Sequence, residues 1–91
     1  MNDLFKGKVV IVTGASSGIG EAIAREFARN GSKVVLAARS ESRLASIVES
    51  IKKDNGEAFF LKTDVSIEDD CRNLVEKTVS KYGTVNILVN N

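Results

Sequence analysis

The stretch Thr13-Gly14-Ala15-Ser16-Ser17-Gly18-Ile19-Gly20 constrains this chain more than any other. It follows an unbroken β-branched run, Val9-Val10-Ile11-Val12, and leads straight into a segment in which Ile19, Ile23 and Phe27 recur every four residues. A strand must therefore turn sharply into a helix within a few glycine-rich positions. Gly14 permits the tight turn, Gly18 leaves the backbone open to an incoming group, and Gly20 lets the new helix pack closely on the strand it has left.

The rest of the chain repeats this alternation. Val34 to Ala38, Ala58 to Lys62 and Ile87 to Asn90 read as further strands by length, composition and flanking turn residues. The first helical segment stops at Asn30-Gly31. A second carries Leu44, Ile47, Val48 and Ile51 on one face and ends at Asn55-Gly56. A third lines up Ile67, Cys71, Leu74, Val75 and Thr78, with Ser66 and Asp69 as an N-cap pair and Gly83 as its stop. The order β-α-β-α-β-α-β predicts an α/β fold with a parallel sheet, right-handed crossovers and helices on both faces. The 91 residues set one small domain as the ceiling.

The first amides of a helix lack intrahelical acceptors and sit at the positive end of its dipole, so Gly18 to Glu21 form an anion site. The Ser16 and Ser17 hydroxyls add hydrogen bonds to a phosphate or a ribose. Taken alone, the same loop is also a plain strand-to-helix turn. With no histidine and one cysteine, the chain offers no Ser-His-Asp or Cys-His nucleophile, no disulfide and no zinc site. Cys71 reads as a core thiol. A formal net charge of +1, spread along the chain, gives no footprint for nucleic acid. The longest aliphatic run is far too short to span a membrane, and Met1 to Lys8 lacks the apolar stretch of a signal peptide, so a cytoplasmic protein is expected.

Three features in register, T-G-x-x-x-G-I-G after the first strand, Asp64-Val65 after the third and Asn90-Asn91 closing the fourth, resemble the short-chain dehydrogenase/reductase family. Lys8 to Gly20 and Val85 to Asn91 look particularly like 3-oxoacyl-(acyl-carrier-protein) reductases. The resemblance implies the N-terminal part of a Rossmann doubly wound sheet, residues 1–91, with strand order 3-2-1-4. It also implies a dinucleotide site. Gly14 and Gly20 shape the loop, and Ser16, Ser17, Gly18 and Ile19 meet the pyrophosphate and adjacent ribose. Asp64 and Val65 hold the adenine, and Asn91, beside Asn90, lies by the nicotinamide-side ribose. On the residues alone, Asp64 is equally a strand-end carboxylate that caps a turn.

Selection of NAD normally uses an acidic residue at the end of the second strand. Ala38 stands there, followed by Arg39 and Ser40, whose guanidinium and hydroxyl suit a 2′-phosphate. NADP is therefore expected over NAD, with Arg43 a weaker second donor. The family's catalytic serine, Tyr-x-x-x-Lys pair and further asparagine lie beyond the double asparagine, and Tyr82 is followed four residues on by Asn86. The resemblance thus implies the cofactor-binding half of a carbonyl/alcohol oxidoreductase, with no catalytic residue and no metal, inactive by itself. Two alternatives stand beside it: a stand-alone nucleotide-binding module, and a fragment that self-associates through the exposed fourth strand.

Overall fold

The computed structural model describes residues 3–91; Met1 and Asn2, where the leader reading begins, lie outside the described residues. After a 3-10 turn at Asp3–Phe5 the elements run β1 (Val9–Thr13), α1 (Gly18–Arg29), β2 (Lys33–Ala38), α2 (Glu41–Lys53), β3 (Glu57–Lys62), α3 (Glu68–Tyr82) and β4 (Ile87–Val89). All pairings are parallel and the strand order is β3-β2-β1-β4, the arrangement expected from the sequence. Every carboxyl end therefore points the same way.

The two-residue period of the strands divides the core. Val10, Val12, Val34, Leu36 and Ala58 face α1 and α2, where Ala24, Ala28, Leu44, Ile47, Val48 and Ile51 meet them. Ile11, Val35 and Ala37 face the other way, onto Leu74 of α3, with Phe59, Leu61, Tyr82 and Val85 around them. β1 and β2 are covered on both sides and carry continuous apolar runs, as buried parallel strands require.

Glycine or asparagine closes each helix. Gly31 (φ +86°) follows Asn30, Asn55 (φ +67°) itself adopts the left-handed conformation before Gly56, and Gly83 (φ +87°) caps α3. Two helix faces differ from the pattern read in the sequence. In α1 the fully packed face is Gly20, Ala24 and Ala28, while Ile23 and Phe27 flank it and Ile19 is 71% exposed. The small residues let the helix approach the sheet, and the larger ones cover its margin. In α3 only Leu74 and Thr78 are buried, Cys71 is half-buried, and Ile67 and Val75 are largely exposed. α3 has one face of the sheet to itself among the described residues, so part of its apolar stripe finds no neighbour.

The N-cap of α3 is also rearranged. Ile67 occupies the cap position, Ser66 bonds to Asp64, and Asp69 pairs with Arg72. Asp70 Oδ2 accepts the Asp64 amide at 2.9 Å and so ties the first turn of α3 to the end of β3.

β4 is short and peripheral. Asn86 pins its start, its amide donating to the Val9 carbonyl at 2.9 Å and its Oδ1 accepting the Val9 amide at 2.8 Å. At the other end of the contact the Thr13 hydroxyl lies 3.3 Å from the Val89 carbonyl and 3.2 Å from Asn90 Oδ1, and accepts the Asn91 amide at 3.1 Å.

A Cβ added at Gly20 would collide with the Gly14 carbonyl oxygen and meet Asn91 Nδ2 at 2.7 Å, whereas one at Gly18 meets nothing within 4 Å. Gly20→Ala is expected to cost about 1–3 kcal/mol through overpacking against backbone, and Gly18→Ala to leave stability within about 0.5 kcal/mol. Urea unfolding of the two variants beside the parent chain checks this; equal midpoints for both would contradict the close approach of α1. In the same assay Leu36→Ala, which empties a fully buried position, is expected to cost about 2–5 kcal/mol.

Candidate dinucleotide site

The carboxyl ends of the strands and the start of α1 enclose a recess of about 530 Å³, within the range of small-molecule sites. Its walls come from three successive strand ends. The loop after β1 contributes Gly14, Ser16 and Ser17; the end of β2 contributes Ala38, Arg39 and Ser40; the end of β3 contributes Thr63, Asp64, Val65 and Ser66; Asn91 closes the β4 side. Ligands in open parallel sheets bind at this end.

The glycine loop is held from within. Gly14 (φ +62°) turns the chain, its carbonyl accepts the Ser17 hydroxyl at 3.0 Å and the Asn91 side-chain amide at 3.2 Å, and the Ala15 amide donates to Ala37 of β2 at 3.2 Å. Ser17 is the N-cap, and its carbonyl accepts the first helical bond, from Glu21, at 2.7 Å. The amides of Gly18, Ile19 and Gly20 precede that bond and so remain available at the positive end of the helix. An anionic group fits here on charge and on donor geometry. Space over Gly18 is open to it.

Of the residues singled out in the sequence, Gly14, Ser16, Ser17, Arg39, Ser40, Asp64, Val65 and Asn91 line the recess together. Gly18 and Ile19 open α1 directly after Ser17 but do not line the recess, Gly20 packs against Gly14 and Asn91, and Asn90 meets Thr13. Arg43 stands apart: its Nε donates to the Ser16 carbonyl at 3.0 Å and its Nη2 to Glu21 Oε1 at 2.9 Å. Sequence reasoning missed Thr13, whose hydroxyl organises both asparagines, together with Thr63 and Ser66 in the wall. Thr13 opens the T-G-x-x-x-G-I-G motif, and the signal for its hydroxyl was its place at the end of a buried strand, where an isolated hydroxyl needs a partner.

Asp64 caps the turn after β3 and also lines the recess. Its Oδ1 accepts the Ser66 hydroxyl at 2.6 Å and the Ser66 amide at 2.9 Å. These two bonds hold its carboxyl below the ordinary value of 3.8; burial opposes them, and the Arg39 guanidinium adds a smaller pull in the same direction. Asp64 is thus a fixed anion across from a cation. Arg39 is exposed and, among the described residues, makes no hydrogen bond or ion pair, whereas Arg25, Arg29, Arg43 and Arg72 all do. Tyr82 lies elsewhere, at the far end of α3, where burial and its 2.7 Å hydrogen bond to Glu57 raise its phenol well above the ordinary value.

Comparison with known proteins agrees with this geometry. The chain is 52% identical over 83 residues to an uncharacterized oxidoreductase of Listeria innocua, covering 91% of this chain and 34% of that protein. It is 44% identical over 86 residues to 11-beta-hydroxysteroid dehydrogenase A of Sesamum indicum, covering 93% and 25%. The chain thus spans about a third or less of the length of these relatives.

Among solved structures it superposes on a hydroxysteroid dehydrogenase from Escherichia coli with a TM-score of 0.93 at 38% identity, covering 96% of this chain and 37% of that one. An actinorhodin polyketide ketoreductase with NADPH gives 0.89 at 38% identity, covering 93% and 33%. A Burkholderia phymatum short-chain dehydrogenase/reductase in complex with NAD gives 0.90 at 36%, covering 97% and 31%. The family model for short chain dehydrogenases matches residues 8–91. A nucleotide recess at the strand ends, a glycine loop seated on α1 and this match over nearly the whole chain lead to one conclusion: the chain belongs to the short-chain dehydrogenase family, of which it carries the N-terminal, nucleotide-binding region.

Proposed function

We propose that this chain is the NADP(H)-binding portion of a carbonyl/alcohol oxidoreductase. The observation that carries the proposal is Arg39, an uncommitted guanidinium at the end of β2 on the wall of the recess, with Ala38 in the place an acidic residue would take to select NAD. A 2′-phosphate can accept two parallel hydrogen bonds from such a fork, and the Ser40 hydroxyl beside it can add a third. A carboxylate at that point would repel the phosphate. One relative was solved with NADPH and another with NAD, so the family accommodates both, and the choice rests on the residues at this strand end.

In this reading the bound nicotinamide supplies the hydride chemistry, and the residues of this chain bind and orient the cofactor. The amides of Gly18 to Gly20 with the Ser16 and Ser17 hydroxyls take the pyrophosphate, Asp64 and Val65 flank the adenine, and Asn91 faces the nicotinamide-side ribose. None of the recess residues forms an activated nucleophile or a general base pair. Turnover by these 91 residues alone is accordingly not expected. The ketoreductase among the structural relatives supports reduction of a ketone by the whole protein.

A second reading has its own support. β4 forms one edge of the sheet, Leu88 is 59% exposed on it, and beside it lies a cleft of about 320 Å³ lined largely by apolar groups that include Val75 and Leu88. We propose that copies of this chain associate through that edge, as unpaired strand edges do.

Two measurements check these readings. Calorimetric titration is expected to give saturable NADPH binding that Arg39→Ala weakens by about ten- to a hundredfold, the worth of hydrogen bonds to a charged group, while NADH binding changes little. Equal losses for the two nucleotides would remove Arg39 from 2′-phosphate recognition. Sedimentation over a concentration series is expected to show oligomers that Leu88→Lys disperses, since edge lysines block strand pairing; a monomer at all concentrations refutes edge association.

A further inference from the structure

Arg43 reaches the glycine loop from behind. It stands in the first turn of α2, does not line the recess, and joins two groups of the loop and helix that do the binding: the Ser16 carbonyl at 3.0 Å and the Glu21 carboxylate at 2.9 Å. Glu21 is itself shared. Its other oxygen accepts Arg25 Nε at 2.9 Å, and Arg25 Nη1 donates to the Ser50 hydroxyl at 3.0 Å, further along α2. Two arginines, one carboxylate and one serine therefore tie α1 to α2 at two levels.

We infer that Arg43 is a positioning residue for the phosphate-binding loop: by holding the Ser16 carbonyl on the α2 side, in concert with Glu21, it fixes the peptide that leads into the amides of Gly18 to Gly20. The inference rests on the dinucleotide reading above and gives Arg43 a role different from that of Arg39. Arg39 reads the 2′-phosphate, which only NADP carries. Arg43 shapes the cradle for the pyrophosphate, which both cofactors carry. Its effect is therefore blind to the choice of cofactor.

The test uses the 91-residue chain and its variants Arg43→Ala, Glu21→Gln and the double variant. Arg43→Ala is expected to weaken NADPH and NADH by the same factor, about two- to fivefold for a largely exposed charged contact. Glu21→Gln, which leaves the Arg43 bond to the Ser16 carbonyl in place, is expected to lose less than Arg43→Ala, and the double variant to lose no more than Arg43→Ala, because Glu21 acts on the loop through Arg43. Loss confined to NADPH makes Arg43 a 2′-phosphate ligand and overturns the inference. So does an unchanged affinity for both nucleotides.

Hydrogen exchange in the absence of nucleotide provides an arm that does not depend on cofactor binding. The bonded amides of Ser17 and Glu21 are expected to exchange about two- to fivefold faster in Arg43→Ala, with β1 and β2 amides and the urea midpoint unchanged. If the parent chain binds neither nucleotide, the cofactor reading falls and this arm decides alone. Unchanged exchange at Ser17 and Glu21, or faster exchange throughout the sheet with a lowered midpoint, overturns the positioning role.

Discussion

The contact on which the rest of the molecule depends is the seating of Gly20 against the carbonyl of Gly14. A side chain at that point would push the start of α1 away from the end of β1, and with it the helix amides away from the strand ends. Ala24 and Ala28 continue the same small-residue face, so the approach is sustained along the helix and not confined to one turn. Close packing of an element with few atoms of its own places backbone where side chains would normally be. The recess at the strand ends borders this contact, since Gly14 and Asn91, which meet Gly20, also line it.

Charge is organised around that recess in two tiers. Behind the loop the single Glu21 carboxylate pairs with both Arg25 and Arg43 and so joins α1 to α2. Arg39 stands in front, on the wall of the recess that Asp64 also lines, and Asp64 takes both Ser66 bonds on its Oδ1. The guanidinium makes no hydrogen bond or ion pair among the described residues, and its charge acts on Asp64 as a small pull toward the anion.

The strands and the glycine loop were legible in the sequence because each rests on a local rule, β-branched runs, two-residue alternation, and glycine where φ turns positive, whereas the strand order came with the family resemblance. Helix faces were less so. Ile19 and Phe27 drew attention as large apolar residues, yet Gly20, Ala24 and Ala28 make the tight contact, because packing distance rather than hydrophobicity selects the face. In α3, Ile67 and Val75 follow the buried stripe in periodicity but meet no neighbour, a matter of tertiary surroundings that periodicity does not carry. The recess residues were found through motifs, while Thr13 and the Arg43–Glu21 contact were not. Both join residues distant in the chain, and no local spacing encodes such a pair.

The attachment of β4 carries a kinetic consequence. Val9 and Asn86 exchange hydrogen bonds across a sequence separation of 77, and Thr13 meets Asn91 across 78. The β1, β2 and β3 pairings each close within a single crossover, so they recover their loop-closure entropy early. β4 must close the longest loop in the molecule for three paired residues. The wall that Asn91 adds to the recess therefore rests on the pairing with the fewest residues and the longest sequence separation in the sheet.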